Sequence, residues 1–156
     1  MASKKESSED RQEGPSQSFK GGPLPQDTVV HLMKSGTEFL AAYAVLQEAQ
    51  AAAVRFARAG VSCEDIDAAA RNVLVAAGLG DLFIHRTGHG IGLETHEDPY
   101  IVAGNDLVVE SGMAFSIEPG FYLEGRFGAR IEDIVIATDD GVLVANTRPR
   151  HLVVIP

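Results

Sequence analysis

Three of the chain's five histidines fall in one run, His85-Arg86-Thr87-Gly88-His89-Gly90-Ile91-Gly92-Leu93-Glu94-Thr95-His96-Glu97-Asp98-Pro99. Glycine on both sides of His89 removes the β-carbons that would crowd an approaching ligand and frees the backbone for turns that other residues resist. That flanking suits a metal ligand and a closely packed loop equally, and a lone buried histidine is more often a hydrogen-bonded core residue. Two carboxylates change the balance. In Ala114-Phe115-Ser116-Ile117-Glu118-Pro119 a strand turns Phe115 and Ile117 to one face and Glu118 to the other, and Pro119 ends regular pairing. In Gly128-Ala129-Arg130-Ile131-Glu132-Asp133-Ile134-Val135-Ile136 alternation puts Arg130 and Glu132 on one face of a segment that otherwise reads as buried. A buried carboxylate needs a cation, and Arg130 supplies one in the simplest case, a structural ion pair. One arginine cannot neutralise both carboxylates, whereas a divalent metal can.

One imidazole with two carboxylates is an oxygen-rich, fairly hard donor set, suited to Mn, Fe, Co or Zn rather than to a thiolate-type structural zinc. A metal held this way is catalytic in character. It lowers the pKa of a bound water and polarises a carbonyl, while a carboxylate takes the proton and an imidazole, His96 or His85, stabilises the tetrahedral intermediate.

The elements that must position these groups are legible in outline. Ser35-Gly36-Thr37-Glu38 has capping-box spacing, which predicts a helix from there to about Ala59, before Gly60. Phe39, Leu40, Tyr43, Leu46, Gln47, Val54 and Ala57 form its apolar face. Ser62 with Asp65 caps a second helix with Ile66, Ala69, Ala70, Val73 and Leu74 inward, ending before Gly78. Strands are expected over 113–122, 128–138, 142–145 and 152–155, with Asp139-Asp140-Gly141 as a hairpin turn. Two helices on one face of a mixed or antiparallel sheet make an α+β layout. Residues 1–34, rich in Ser, Glu, Gln, Gly and Pro, read as a disordered or loosely attached arm ahead of one domain over 35–156.

Bulk properties exclude several functions. A formal charge of -9 without a Lys/Arg cluster argues against nucleic acid as a partner. The longest apolar run, around Ala51 to Val54, is far short of a membrane helix. The single cysteine, Cys63, forms no internal disulfide, and Glu64 and Asp65 beside it disfavour a nucleophilic thiolate. The amino terminus MASKKESSED lacks a signal-peptide core, so the cytoplasm is the expected compartment. Gly88, Gly90 and Gly92 do not match a dinucleotide-binding spacing. His31 and His151 have no motif around them and read as surface or packing residues.

On three motifs in order, HRTGHGIGLETHEDP, SIEPGFY and GARIEDIV, the sequence from about Phe39 to Ile155 resembles the pita-bread metallopeptidases, which include Xaa-Pro aminopeptidases, Xaa-Pro dipeptidases and methionine aminopeptidases. Arg130 two residues before Glu132, and EPGFY, are more similar to the Xaa-Pro branch. The resemblance implies helices packed on a curved, mostly antiparallel sheet, truncated here, and a metal-dependent exopeptidase that cleaves the bond before proline in a peptide substrate. It implies His89 and Glu118 as ligands of one metal and Glu132 as a bridge between two. It also implies His96 at the scissile carbonyl, His85 lining the substrate pocket, Arg130 behind the bridging carboxylate, and Glu118 as proton acceptor as well. The metal it implies is Mn(II), with Co(II) or Zn(II) as alternatives. The family's two further aspartate ligands have no counterpart before Ser35, where only Asp10 and Asp27 occur, so at most a mononuclear His-Glu-Glu site is supported. That departure keeps open a catalytically inactive relative or a peptide-binding protein. A metal-independent relative acting through His96 is a further alternative, against which the retained Glu118 and Glu132 argue. Sheet edges left by missing strands predict self-association or a homodimer.

Overall fold

A computed structural model describes residues 26–147, 149–150 and 152, with side chains from Gly36 onward. Residues 1–25, His151, the side chain of His31 and the expected strand beyond Leu152 lie outside the described residues. Helix α1 spans Gln26–Phe56. It therefore starts well before Ser35, and the Ser35/Glu38 spacing is not a helix start. The segment 26–34 contains neither Pro nor Gly, and one interior glycine, Gly36, costs only about 1 kcal/mol relative to alanine, too little to end a helix of this length. Helix α2 spans Cys63–Ala76, and its Ser62 cap accepts from the Asp65 amide as expected.

The buried stripe of α1 is Ala42, Leu46, Ala49, Gln50 and Ala53, continued by Ala57 just past its end, whereas Leu40, expected inside, is half-exposed at 51%. Alanines seven and four residues apart on this face, Ala42, Ala49 and Ala53, let the helix lie close to its neighbours. Helix α2 turns Cys63, Ile66, Ala70 and Leu74 inward, together with the charged Asp67. Burial also pushes the Cys63 thiol up to about 11, with the Asp98 charge adding to the effect, so it stays protonated at neutral pH.

The strands are β1 (Gly88–Gly90), β2 (Glu97–Ile101), β3 (Ala114–Ile117), β4 (Gly120–Leu123), β5 (Phe127–Arg130), β6 (Asp133–Ala137) and β7 (Val142–Val144). Five form an antiparallel sheet in the order β2-β1-β3-β6-β7, and β4 pairs with β5. The β6–β7 hairpin turns at Asp139-Asp140-Gly141, with Thr138 N–H donating to the Gly141 carbonyl at 2.8 Å. The main core brings Ala53, Ile66 and Ala70 of the helices, with Ala57 just past α1, against Ile101, Phe115, Ile117, Val135 and Ala137 of the sheet. Among the described residues no helix is long and apolar enough to cross a membrane.

The two long segments expected as continuous strands are each interrupted. The β3–β6 ladder pairs Ile117 with Asp133, and the β4–β5 ladder pairs Gly120 with Arg130. Stepping inward from both ladders puts Glu118 across from Glu132 and Pro119 across from Ile131, whose N–H donates to the Pro119 carbonyl at 3.3 Å. One register therefore runs through the whole hairpin, broken only where the two glutamates stand. Proline, which has no N–H, makes that break.

The glycines beside His89 answer to packing. A β-carbon on Gly88 would meet the Ser116 carbonyl oxygen at 1.8 Å, and one on Gly90 the Asp98 carbonyl oxygen at 2.1 Å. Neither glycine has positive φ, so the sheet requires their size and not their torsional freedom. Gly90→Ala should cost about 3 kcal/mol or more, by overpacking against rigid backbone. The check is the urea midpoint read by far-UV circular dichroism, and an unchanged midpoint would contradict this packing.

Candidate active site

His89 is central in β1, which is buried throughout. Its Nδ1–H donates to the Gly90 carbonyl at 3.0 Å. A neutral imidazole then presents a bare lone pair at Nε2. Nε2 stands 3.1 Å from Oε1 of Glu118, both side chains being nearly buried. Two electron-rich atoms at that distance require a proton or a metal cation between them. The donor chemistry fits a divalent ion, with Nε2 and the carboxylate as ligand atoms.

Ser116 ties the two groups together. Its Oγ accepts from the His89 N–H at 3.0 Å and donates to Glu118 Oε1 at 3.0 Å. On the other side, Arg130 Nη1 lies 3.2 Å from Glu118 Oε2. The Glu118 N–H donates to the Thr87 carbonyl at 2.7 Å. Backbone and carboxylate are thus both fixed before any ligand binds.

His96 is exposed, with its ring edge-on to His89 at 4.4 Å between centroids. His85 donates from Nδ1 to the Arg86 carbonyl at 2.7 Å, and its Nε2 is buried with no partner among the described residues. His85, Arg86, His96, Tyr100, Val102, Glu118 and Arg130 line a cavity of about 520 Å³. Arg86 lies over the Tyr100 ring at 4.8 Å.

Two expectations for the β5–β6 segment are corrected. Arg130 pairs with Glu118 and not with Glu132, and Glu132 is exposed and not part of a buried strand. The break at Ile131–Glu132 is the cause, since it ends the alternation that would have put Arg130 and Glu132 on one regular face. The buried carboxylate of this segment is instead Asp133, which accepts from Gln50 and pairs with Arg150 at 2.6 Å. Among the described residues no three His, Cys, Asp or Glu side chains converge in metal-ligand geometry. The structure joins His89 to Glu118, places His85, His96 and Arg130 around them, and holds Glu132 across the hairpin with its side chain turned to solvent.

A family model, that of metallopeptidase family M24, matches residues 26–139. This chain belongs to that family. The probable dipeptidase PepE of Mycobacterium tuberculosis is 63% identical over 114 residues, which are 73% of this chain and 30% of that protein. The Xaa-Pro dipeptidase of Lactobacillus helveticus is 50% identical over 73% of this chain and 31% of its own length. The crystal structure of dipeptidase PepE from Mycobacterium ulcerans superposes with a TM-score of 0.73 at 59% identity, covering 74% of this chain and 31% of that one. The fold is accordingly the α+β pita-bread fold of these peptidases, and the chain spans about 30% of the length of the curated relatives it matches. The family is one of divalent-metal peptidases that act on peptides.

Ser116 and Thr87 are site residues that neither residue spacing nor the motifs singled out. The signal was present for Ser116, a small polar residue two before Glu118 and so on the same strand face. Ser116→Ala would leave the buried His89 N–H without its acceptor and should cost about 1–3 kcal/mol. Urea unfolding measures this. A variant as stable as the parent would show that the hydroxyl bridge carries no weight.

Proposed function

We propose that this chain forms the metal-holding part of a hydrolase that cleaves Xaa-Pro dipeptides. The observation that carries the reading is the His89 Nε2–Glu118 Oε1 approach at 3.1 Å with the ring's only neutral-state proton committed to Gly90. In this reading His89 and Glu118 would hold one divalent ion, and Glu132, directly across the hairpin, would be the residue to supply a third ligand. The chemistry supplied by such an ion is activation of water and polarisation of the scissile carbonyl. Glu118, steadied by Ser116 and Arg130, takes a proton from the attacking water. His96, beside His89 at the cavity wall, donates toward the oxygen that gains charge in the transition state. His85 offers Nε2 to an N–H of the bound peptide. Arg86 and Arg130 give the cavity a cationic lining that suits a short peptide with a free carboxylate. The similarity to dipeptidases supports this substrate class, and Mn(II) with Co(II) or Zn(II) fits the hard donor set.

A second reading, a peptide-binding protein without turnover, is favoured by one observation: only two candidate ligands are in contact among the described residues. One experiment separates the two. The purified chain, dialysed after loading with Mn(II) or Co(II), should retain about one ion per site, and His89→Ala should abolish retention. Loaded protein should release proline from Xaa-Pro dipeptides, and Glu132→Gln should lower kcat by about 100-fold or more, as loss of a ligand that acts in the transition state does. Metal retention without proline release would select the binding reading, and no retention would sink the hydrolase.

A further inference from the structure

Asp67 sits on the buried stripe of α2 at 1% exposure, an unusual place for a charge. Arg71, one turn on, answers it with a two-pronged pair, Nε to Oδ2 at 2.7 Å and Nη2 to Oδ1 at 3.0 Å. The guanidinium has N–H groups to spare, and they reach the loop ahead of β1. Nη1 donates to the Phe83 carbonyl at 3.1 Å, and Nη2 donates to the His85 carbonyl at 3.0 Å. The cation also lies over the Phe83 ring at 4.1 Å, and that ring meets the His85 imidazole edge-on at 5.0 Å. Asp67 completes the arrangement at the far end of the loop, where its Oδ1 accepts from the Thr87 hydroxyl at 2.6 Å and the Thr87 N–H at 3.2 Å.

Burying an ion pair gives little net stability, because desolvation offsets the attraction. This pair reaches further than a structural pair needs to. Every contact beyond the pair itself ends on the backbone or ring neighbours of His85, or on Thr87, whose carbonyl receives the Glu118 N–H. A planar, forked cation can span two carbonyls and a carboxylate in one plane, whereas a lysine ammonium cannot. The Thr87 N–H that Asp67 accepts belongs to the same planar peptide unit as the Arg86 carbonyl, so the clamp also orients that carbonyl, which the His85 Nδ1–H uses, leaving Nε2 as the free atom beside the cavity.

We propose that Arg71, oriented by Asp67, is a positioning residue that sets the tautomer and placement of His85 toward a bound peptide. This rests on the reading of the cavity as a peptide site, but its test does not need turnover. In the metal-free full chain, labelled with 15N and held at a pH where imidazole is ordinarily neutral, long-range 1H–15N spectra should show His85 and His89 as single Nδ1–H tautomers. Arg71→Lys should turn His85 into a mixture of tautomers and leave His89 unchanged, since His89 is held by Gly90 and Ser116. Thr87→Val should do the same, and Thr87→Ser should restore the single form. A single Nδ1–H tautomer of His85 in Arg71→Lys, or His85 and His89 changing together, would overturn the proposal. Should Arg71→Lys lose its far-UV dichroism, the Thr87 pair decides by the same criterion. Where the parent releases proline, Arg71→Lys should raise KM by roughly tenfold with kcat within about twofold, the pattern of lost substrate positioning. A parent that releases none counts against the hydrolase reading alone, and the imidazole spectra still decide the role of Arg71.

Discussion

Glu118 and His89 face each other at 3.1 Å, a distance at which a proton or a metal cation must stand between them. The imidazole gives its Nδ1–H to Gly90, so in its neutral form the atom it turns to the carboxylate is a lone pair, 3.1 Å away and nearly buried. Repulsion between such atoms is costly where the local dielectric is low. The surroundings nevertheless hold both atoms in place: Ser116 bonds to each residue, Arg130 takes the second carboxylate oxygen, and Thr87 holds the glutamate's amide. A stable arrangement of this kind is one prepared for a positive charge between its two poles. The remainder of the site is understood from that requirement.

The scaffold meets it through strand register. Because β3–β6 and β4–β5 share one continuous pairing, the interruption at Pro119 costs little in long-range order while releasing Glu118 and Glu132 from regular strand geometry. A continuous ladder would hold both side chains rigidly perpendicular to the sheet. A longer loop would lose their mutual alignment. β1 brings His89 alongside β3 by way of Gly90 opposite Phe115, a close approach that the flanking glycines make sterically possible. Helix α2 then anchors the loop ahead of β1 through Asp67 and Arg71.

Much of this was legible in the residues. The alternation of Phe115, Ile117 and Glu118, the Ser62 cap, the Asp139-Asp140-Gly141 turn and the α+β layout follow from local rules that tertiary packing did not override. The start of α1 is not legible locally, because a good capping spacing at Ser35 lies inside a longer helix-compatible segment. Hydrophobicity alone puts Leu40 inside, whereas the close approach of the helix selects alanine at Ala42, Ala49 and Ala53. Strands β1 and β2 carry no alternating pattern, being short and rich in glycine or charge. Unbroken alternation predicts a buried Glu132, but the strand is interrupted there, and only pairing on both sides reveals the break. Asp67 carried a signal, an acid on an apolar stripe with an arginine four residues on, but its partners at Phe83, His85 and Thr87 are set by three-dimensional packing.

The most direct test of a cation site between His89 and Glu118 is a crystal of the chain grown with Mn(II), examined by anomalous scattering at the manganese edge. The predicted result is one strong peak within coordination distance of His89 Nε2 and a Glu118 oxygen, with Glu132 turned inward to meet it. A peak elsewhere, or none while Nε2 stays hydrogen-bonded to Glu118, would contradict the account.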